Sequence, residues 1–228
     1  MKPKNIYLVR HGESLGNIDK SVYTHTPDWK VSLTEKGKQQ AIEAAEKLSA
    51  IILPDNAIIS SYDIYDKVQV YCSPWFRTRQ TAAEYTKHPK NNMRVKYTED
   101  PRLREQDWGN YQEKEVLKQL AKERDNYGTF FYRLPNGESG ADVYDRISTF
   151  LETLHRNFDK VDFPQNVVIF SHGITIRIFL MRFFHWSVEE YENTKNIRNC
   201  EIVHMKLNGG GKYKLITELR KRSSNAKM

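Results

Sequence analysis

Two histidines stand in short polar segments whose composition suits the transfer of an anionic group. His11 is preceded by Arg10 and followed by a glycine, and His172 is preceded by a serine and followed by Gly173. A neutral imidazole nitrogen is nucleophilic near pH 7 when the other ring nitrogen is held as a hydrogen-bond donor. Histidine is also one of the side chains that form covalent intermediates. The first chemistry to consider is therefore group transfer through histidine, with Arg10 binding the anion.

Two further positions could bind or protonate such a group. Arg77 lies in the segment Ser73–Thr81, and its planar guanidinium suits bidentate binding of a phosphate. Arg79 is two residues further on, where an amphipathic helix would expose it to solvent. Glu105 is a candidate proton donor in a predicted loop, and Asp107 is a competing carboxylate in the same loop.

The elements that must position these side chains alternate between strand and helix patterns. Such alternation is typical of an α/β fold with a mostly parallel sheet. Strands are predicted at residues 6–9, 68–72, 93–97 and 167–170, helices from about 35 and at 73–85, 113–125, 139–158 and 175–184, and a terminal hairpin at 200–207 and 213–217. Thr34 or Ser32 caps the first helix, and Ser73-Pro74 opens the second, since proline is favoured in a first helical turn.

The candidate residues share one place in this pattern. His11, Arg77 and His172 lie at or just beyond the carboxyl ends of predicted strands. In an open α/β sheet, ligands bind at this edge. We therefore expect three segments that are distant in sequence to meet in one crevice.

Several other classes of protein lack support in the sequence. There is no G-x-x-x-x-G-K-[ST] loop, no H-E-x-x-H and no G-x-S-x-G segment. Cys72 and Cys200 form no C-x-x-C pair, and both are expected in strands as small buried residues. The other histidines show no metal-ligand spacing, although His25 could line the mouth of the site. We expect neither a metal nor another cofactor.

Four segments together resemble the motifs of the histidine phosphatase superfamily, in its phosphoglycerate-mutase-like branch and of broad phosphatase type. They occur in the family's order and span essentially the whole chain. The segments are Arg10-His11-Gly12-Glu13-Ser14 with Asn17, Ser73 with Arg77 and Thr81, Leu103 with Glu105 and Gly109, and Ser171-His172-Gly173. Residues 33–41 add a further family-like stretch.

The resemblance implies a three-layer αβα sandwich with a mixed, mostly parallel sheet and a small helical cap. It implies a phosphoryl group carried on His11, bound by Arg10, Arg77 and His172, with Glu105 as the proton donor. Ser14, Asn17 and Gly173 are expected to complete the substrate-binding cradle.

The 228 residues suit one domain, which we expect over residues 1–219. Residues 113–158 are expected to supply the cap helices, and the turn at 135–139 is a candidate substrate-contact loop. The net charge is +7, and four positive charges fall within residues 220–228, where we expect a basic disordered tail.

The preferred activity is hydrolysis of small phosphate monoesters, independent of metal. The first alternative is a cofactor-dependent phosphoglycerate mutase, and the second is an inactive interaction protein on the same fold. The expected partner is a small phosphorylated substrate, with neither nucleic acid nor membrane. A cytoplasmic location is expected, because no apolar stretch is long enough for a membrane span or a signal peptide core. The sequence leaves a homodimer open.

Overall fold

A computed structural model describes residues 2–53, 67–91, 95–109 and 114–222 of the chain. Within them the strands are β1 (Asn5–Arg10), β2 (Val68–Cys72), β3 (Val95–Glu99), β4 (Asn166–Ser171), β5 (Ile202–Leu207) and β6 (Tyr213–Leu215). The helices are α1 (Leu15–Ile18), α2 (Glu35–Ile52), α3 (Phe76–Lys87), α4 (Lys114–Tyr127), α5 (Gly140–Phe158), α6 (Gly173–Phe184) and α7 (Val188–Asn193).

The strands of the described residues form one sheet in the order β3-β2-β4-β1-β5-β6. The pairs β2–β3, β2–β4 and β1–β4 are parallel, whereas β1–β5 and β5–β6 are antiparallel. The predicted mixed, mostly parallel sheet is therefore confirmed. Because β1, β2 and β4 run in the same direction, Arg10, Cys72 and Ser171 all end at one edge of the sheet.

Alternation along the central strands produces two separate cores. On β1, Ile6 and Leu8 face the cluster that contains α5 and α6, whereas Tyr7 and Val9 face the cluster that contains α2 and α3. Successive strand residues point to opposite faces of a sheet, so a strand that is apolar throughout must be covered on both sides. This is the physical origin of the predicted three-layer αβα architecture, which is confirmed.

The helix that follows β2 starts later than the sequence predicts. Ser73 still donates its backbone N–H to the carbonyl of Phe170, at 3.0 Å, so the chain continues along the sheet. Trp75 is extended, with φ −68° and ψ 138°, and α3 begins only at Phe76. The proline at 74 therefore precedes the helix instead of occupying its first turn. Conversely, α6 begins at Gly173, two residues before the predicted start, with His172 at its N-cap.

The structure decides between the two predicted caps of α2 and corrects the position of one cysteine. Thr34 caps α2, since its hydroxyl accepts the N–H of Gly37 at 2.9 Å. Cys200 precedes β5 and has a positive φ of 55°, so it does not lie in a strand as expected. Predicted strand and helix residues 93, 94 and 113 lie outside the described part of the chain.

The expected cap and tail differ from the structure in part. The first cap helix, α4, lines the cleft described below through Leu117, Lys118 and Ala121. By contrast, α5 packs against α6 within the main core. In the predicted tail, residues 220–222 pair with residues 193–195 through backbone hydrogen bonds. Those three residues are therefore part of the fold, and residues 223–228 lie outside the described part of the chain.

Candidate active site

A cleft of about 1060 Å³ opens at the sheet edge where β1 ends. Five of the eight predicted site residues line it, namely Arg10, His11, Asn17, Arg77 and Glu105. His25 also lines it, as the sequence suggested. His172 lies directly behind, since its ring centroid is 5.2 Å from that of His11. The topology thus brings four distant segments of the chain together.

The surroundings of His11 favour a neutral ring with one free nitrogen. Its side chain is buried, and its Nδ1 lies 2.7 Å from the carbonyl oxygen of Gly12. A donated Nδ1–H leaves the lone pair on Nε2, which accepts a hydrogen bond from Nε of Arg77 at 3.3 Å. Burial, followed by the charges of Arg77 and Arg10, lowers the pKa of His11 well below its usual value of 6.5.

His172 is fully buried beside His11. Its Nε2 lies 2.8 Å from the hydroxyl of Ser73 and 3.2 Å from that of Thr78, while its Nδ1 has no hydrogen-bond partner among the described residues. Burial, and then the charge of Arg77, lowers the pKa of His172 well below 6.5. An unsatisfied buried nitrogen costs free energy, so this atom is suited to a bound ligand.

The two predicted arginines are held differently. Arg10 donates from Nη1 to the carbonyl of Ile197 at 2.7 Å, and its Nε is buried without a partner in the described chain. Arg77 donates from Nη1 to both the carbonyl and the carboxylate of Asp28, each at 2.8 Å. The cleft therefore has two guanidinium groups, each with N–H groups that no acceptor within the described residues uses.

Glu105 is fixed at the amino end of α6. Its Oε1 accepts from the N–H of Thr175 at 3.1 Å, and its Oε2 accepts from the N–H of Ile174 at 3.2 Å. The hydroxyl of Thr175 donates to the carbonyl of Arg104 at 2.7 Å and lies 3.1 Å from the same Oε1. The loop carboxylate is thus placed by the helix that follows His172, which connects two of the predicted motifs.

The three predicted cradle residues have different positions. Asn17 lines the cleft, and its Oδ1 accepts from the N–H of Ser14 at 3.0 Å and from Asn199 at 3.2 Å. Ser14 is buried at the N-cap of α1 and does not line the cleft. Gly173 is the first residue of α6, where a Cβ would lie 3.4 Å from Nε of Arg10. Ser14 therefore supports the loop instead of facing the cleft.

The glycine after His11 is required by packing within the protein. A Cβ on Gly12 would lie 2.3 Å from the carbonyl oxygen of Gly37, and a Cβ on Gly37 would lie 1.9 Å from the carbonyl oxygen of Glu13. The loop after β1 thus rests backbone against backbone on the first turn of α2. The sequence suggested close approach to a ligand, whereas the structure shows close approach to another loop.

Sequence reasoning missed several residues that line the cleft or support it from behind. Asp28 contacts Arg77, Asn196 lines the cleft, and Asn199 donates to the carbonyl of His11 at 2.9 Å. These residues lie in irregular segments without a periodic pattern, so no local signal marks them. Trp75 could have been found, because it stands inside the Ser73–Thr81 motif.

The turn at 135–139 does not line the cleft, although the sequence suggested substrate contact. Glu138 instead accepts hydrogen bonds from Arg104, from Arg146 and, at 3.0 Å, from the N–H of Asp107. Gly137 packs so closely on the same loop that a Cβ would lie 2.5 Å from the carbonyl oxygen of Asp107. The turn therefore supports the loop that carries Glu105.

A buried neutral histidine beside two arginines, at the carboxyl edge of a mixed αβα sheet, defines a class of phosphoryl-transfer protein. The chain belongs to the histidine phosphatase superfamily, branch 1, whose sequence profile matches residues 6–218. This confirms the family resemblance expected from the four motifs.

The chain is similar in sequence to two curated proteins and similar in fold to a solved structure. The phosphoglycerate mutase-like protein AT74 of Arabidopsis thaliana is 46% identical over 219 residues, which cover 93% of this chain and 68% of that protein. The broad-range acid phosphatase DET1 of Saccharomyces cerevisiae is 30% identical, over 96% of this chain and 90% of its own length. A mycobacterial glucosyl-3-phosphoglycerate phosphatase has the same fold, with a TM-score of 0.69 at 21% identity over 94% of this chain and 98% of that one.

The described residues include neither a membrane-spanning helix nor a cluster of metal ligands. No helix among them is long and apolar enough to cross a membrane. Within those same ranges, no group of three or more histidine, cysteine, aspartate or glutamate side chains is arranged to hold a metal ion.

Proposed function

We propose that this protein is a phosphatase that hydrolyses small phosphate monoesters through a phosphohistidine on His11. The observation that carries the proposal is the Nε2 atom of a buried, neutral His11, 3.3 Å from a guanidinium nitrogen of Arg77. A nucleophile beside a cation that can neutralise phosphoryl oxygens is what phosphoryl transfer requires, since catalysis of this reaction depends on positioning and charge stabilisation.

The first half-reaction follows from these positions. Nε2 of His11 attacks phosphorus, and the bond from phosphorus to the ester oxygen breaks. Arg10, Arg77 and His172 bind the phosphoryl oxygens, with the unpartnered Nε of Arg10 and Nδ1 of His172 as available sites. Glu105 gives its proton to the departing alcohol oxygen.

The second half-reaction regenerates the enzyme. Water attacks phosphorus while Glu105 takes one of its protons, and the bond from phosphorus to Nε2 of His11 breaks. The products are inorganic phosphate and neutral His11. Asn17 lines the same cleft and supplies a further polar contact for the phosphate. Three cationic or hydrogen-bonding groups from the chain supply the charge stabilisation, so we infer that no metal ion is needed.

A mutase must retain a bisphosphorylated intermediate, which requires cations for a second anionic group. Of the basic residues between positions 114 and 133 whose side chains are described, only Lys118 lines the cleft, and it pairs with Glu115 at 2.8 Å. Arg124 donates a hydrogen bond to the side chain of Gln106 and lies over the ring of Trp108, and Arg133 forms an ion pair with Asp142. Lys20 and Arg104 also line the cleft, but Lys20 donates to the carbonyl of Gly16 at 2.6 Å and Arg104 pairs with Glu138. Because these cations are engaged by protein acceptors, the cleft favours hydrolysis over isomerisation.

A panel of phosphate monoesters tests the proposal, with and without a diphosphoglycerate activator. We expect release of inorganic phosphate from several esters, little interconversion of 2- and 3-phosphoglycerate, and unchanged rates after exhaustive chelation. Isomerisation that outpaces phosphate release tenfold or more would establish the mutase instead. Absence of both reactions would favour the inactive interaction protein. The cytoplasmic location, the lack of nucleic-acid binding and the open question of a homodimer stay predictions.

A further inference from the structure

Asp28 forms part of the cleft wall although no catalytic motif includes it. It begins a short 3₁₀ turn, Asp28–Lys30, in the segment between α1 and α2. Its carbonyl oxygen and its Oδ1 both lie 2.8 Å from Nη1 of Arg77. Only 4% of the Arg77 side chain and 32% of the Asp28 side chain are exposed, so this ion pair is largely shielded from water.

The guanidinium of Arg77 is held on three sides. Asp28 holds Nη1, the ring of Trp75 lies 4.6 Å below the central carbon, and Nε points to Nε2 of His11 at 3.3 Å. In the part of the chain that the structure describes, Nη2 donates no hydrogen bond. The Nη1 atom of the guanidinium is therefore fixed by Asp28, whereas Nη2 is available to a phosphoryl group.

We propose that Asp28 is a positioning residue that fixes Arg77 through Nη1, so that Nε and Nη2 meet the phosphoryl oxygens as His11 attacks. The inference rests on the phosphatase function proposed above and extends it to a residue outside the family motifs. Asp28 itself takes no proton from the substrate and gives none to it.

The reaction explains why such an anchor matters. In the free protein, Nε of Arg77 is bonded to the lone pair that must attack phosphorus, so this hydrogen bond must break before the reaction. Without Asp28, only the stacking contact with Trp75 would hold the guanidinium when that bond breaks, and a face contact leaves the group able to rotate in its own plane. The two bonds to Asp28 hold the guanidinium while Nε moves from His11 to a phosphoryl oxygen.

The carboxylate of Asp28 also offsets part of the positive charge of the cleft. Besides Arg77, the titratable groups that interact electrostatically with Asp28 include Lys20, Tyr23, Glu105 and Asp107. The cleft is also lined by Arg10, His11, His25, Arg104 and Lys118. A negative charge beside the bound phosphate weakens its binding in the ground state, because like charges repel strongly where water is largely excluded. Asp28 should therefore lower the affinity for the product phosphate while it raises the rate.

The test compares Asp28→Asn and Asp28→Ala with Asp19→Asn, which removes a charge from the same segment outside the cleft. Rates are measured with 4-nitrophenyl phosphate and with an alkyl phosphate, and the Kd of inorganic phosphate is measured by calorimetry. We expect Asp28→Ala to lower kcat by about 10²-fold, as misplacement of a catalytic group by about 1 Å does. The loss should be equal for both esters, because Asp28 is not the proton donor, and Asp19→Asn should leave kcat unchanged.

Asp28→Asn keeps an oxygen acceptor for Nη1 but loses the charge. We expect a smaller loss of kcat together with tighter binding of inorganic phosphate, by about threefold to tenfold, which corresponds to about 0.7–1.4 kcal/mol. This opposite movement of rate and affinity would not arise from damage to the fold. If Asp28→Ala does not fold, the kcat and the phosphate affinity of Asp28→Asn test the proposed role of Asp28.

A double variant shows whether Asp28 acts through Arg77. In an Arg77→Ala background, Asp28→Ala should cause no further loss of kcat, because the residue that it positions is gone. An independent, additive loss would overturn the proposal, as would kcat within twofold of wild type in Asp28→Ala. If the wild type binds phosphate but hydrolyses no ester, the phosphatase function fails. The role of Asp28 is then judged by phosphate affinity. Asp28→Ala should bind phosphate more weakly than Asp28→Asn when Arg77 is present, because only the alanine variant releases Nη1 of Arg77, and the two variants should bind it equally in the Arg77→Ala background.

Discussion

At the scale of single residues, the site depends on keeping a histidine uncharged beside two arginines. The carbonyl of Gly12 fixes the tautomer of His11, and Arg77 donates to the nitrogen that is left free. Burial, and then the charges of Arg77 and Arg10, lowers the pKa of His11. The two arginines proposed to bind the phosphoryl group therefore also help to keep His11 uncharged.

Replacement of Arg77 should have a much larger effect than replacement of its neighbour. We expect Arg77→Ala to lower kcat/KM by about 10³-fold or more, the scale of an arginine that stabilises a phosphoryl transition state. Arg79→Ala is the matched control, because Arg79 is exposed and lies over the ring of Phe76 on the same helix. A loss below tenfold for Arg77→Ala in a folded protein, or equal losses for the two variants, would contradict this assignment.

The role of Glu105 predicts a dependence on the leaving group. Glu105→Gln should lower kcat by about 10²–10⁴-fold for alkyl phosphates, which need a proton on the departing oxygen. The loss should be much smaller for 4-nitrophenyl phosphate, whose leaving group needs little protonation. Asp107→Asn serves as the control from the same loop. Equal losses for both esters, or the leaving-group dependence appearing in Asp107→Asn, would assign the proton donor to another group.

At the scale of elements, the site is built by contacts between loops as much as by strand ends. The sequence predicts the strands that carry His11 and His172, because their apolar runs are long and end in distinctive polar segments. It does not predict Asp28 or Asn199, because each acts through a contact with a residue far away in sequence. The sequence places the start of α3 too early for a similar reason, since Ser73 is held by a long-range hydrogen bond to the carbonyl of Phe170.

The turn that precedes α5 controls the position of the Glu105 loop. Glu138 is mostly buried, and it bonds with both Arg104 and Arg146, while Arg146 also donates to the carbonyl of Glu105 at 3.2 Å. A charged acceptor between two arginines makes stronger hydrogen bonds than a neutral amide would. The turn therefore supports the loop that carries the proposed proton donor, although it does not line the cleft.

We expect Glu138→Gln to lower kcat by about tenfold to 10²-fold, because the Glu105 loop shifts when these bonds weaken. The loss should be larger for alkyl phosphates than for 4-nitrophenyl phosphate, as for a change in Glu105 itself. Glu35→Gln is the control, since Glu35 forms an exposed ion pair with Lys38 on α2. A loss of kcat in Glu138→Gln that is the same for both esters would show that the turn supports the fold only.

At the scale of the whole molecule, the sheet order explains why distant segments meet. Strand β4 lies between β2 and β1, so the segments that follow these three strands are neighbours at one edge. The composition of the chain cannot predict this order, although alternation of strand and helix predicts the fold class. Burial of two neutral histidines at this edge also affects the stability of the entire domain.

Stability should fall in mild acid because of these histidines. The pKa values of His11 and His172 are both lowered in the folded protein, whereas an unfolded histidine titrates near 6.5. As the pH falls below about 6.5, the unfolded chain takes up protons that the folded chain does not, so the free energy of unfolding decreases. Each histidine contributes up to about 1.4 kcal/mol per pH unit.

Urea denaturation at pH 7.5 and at pH 5.5 measures this effect. His172→Gln removes one of the two groups, so it should lose less stability between the two pH values than the wild type does. Other titrating groups are shared by the two proteins and cancel in the comparison. The same loss in both would mean that His172 titrates normally in the folded protein.

The most direct test of the account is to trap the phosphorylated enzyme. Rapid quench with a labelled phosphate ester should give protein-bound label that is labile in acid and stable in base, as expected for phosphohistidine. The label should disappear in His11→Ala and persist in His25→Ala, which changes an exposed histidine of the same cleft. Label on a serine, or undiminished turnover in His11→Ala, would contradict transfer through His11.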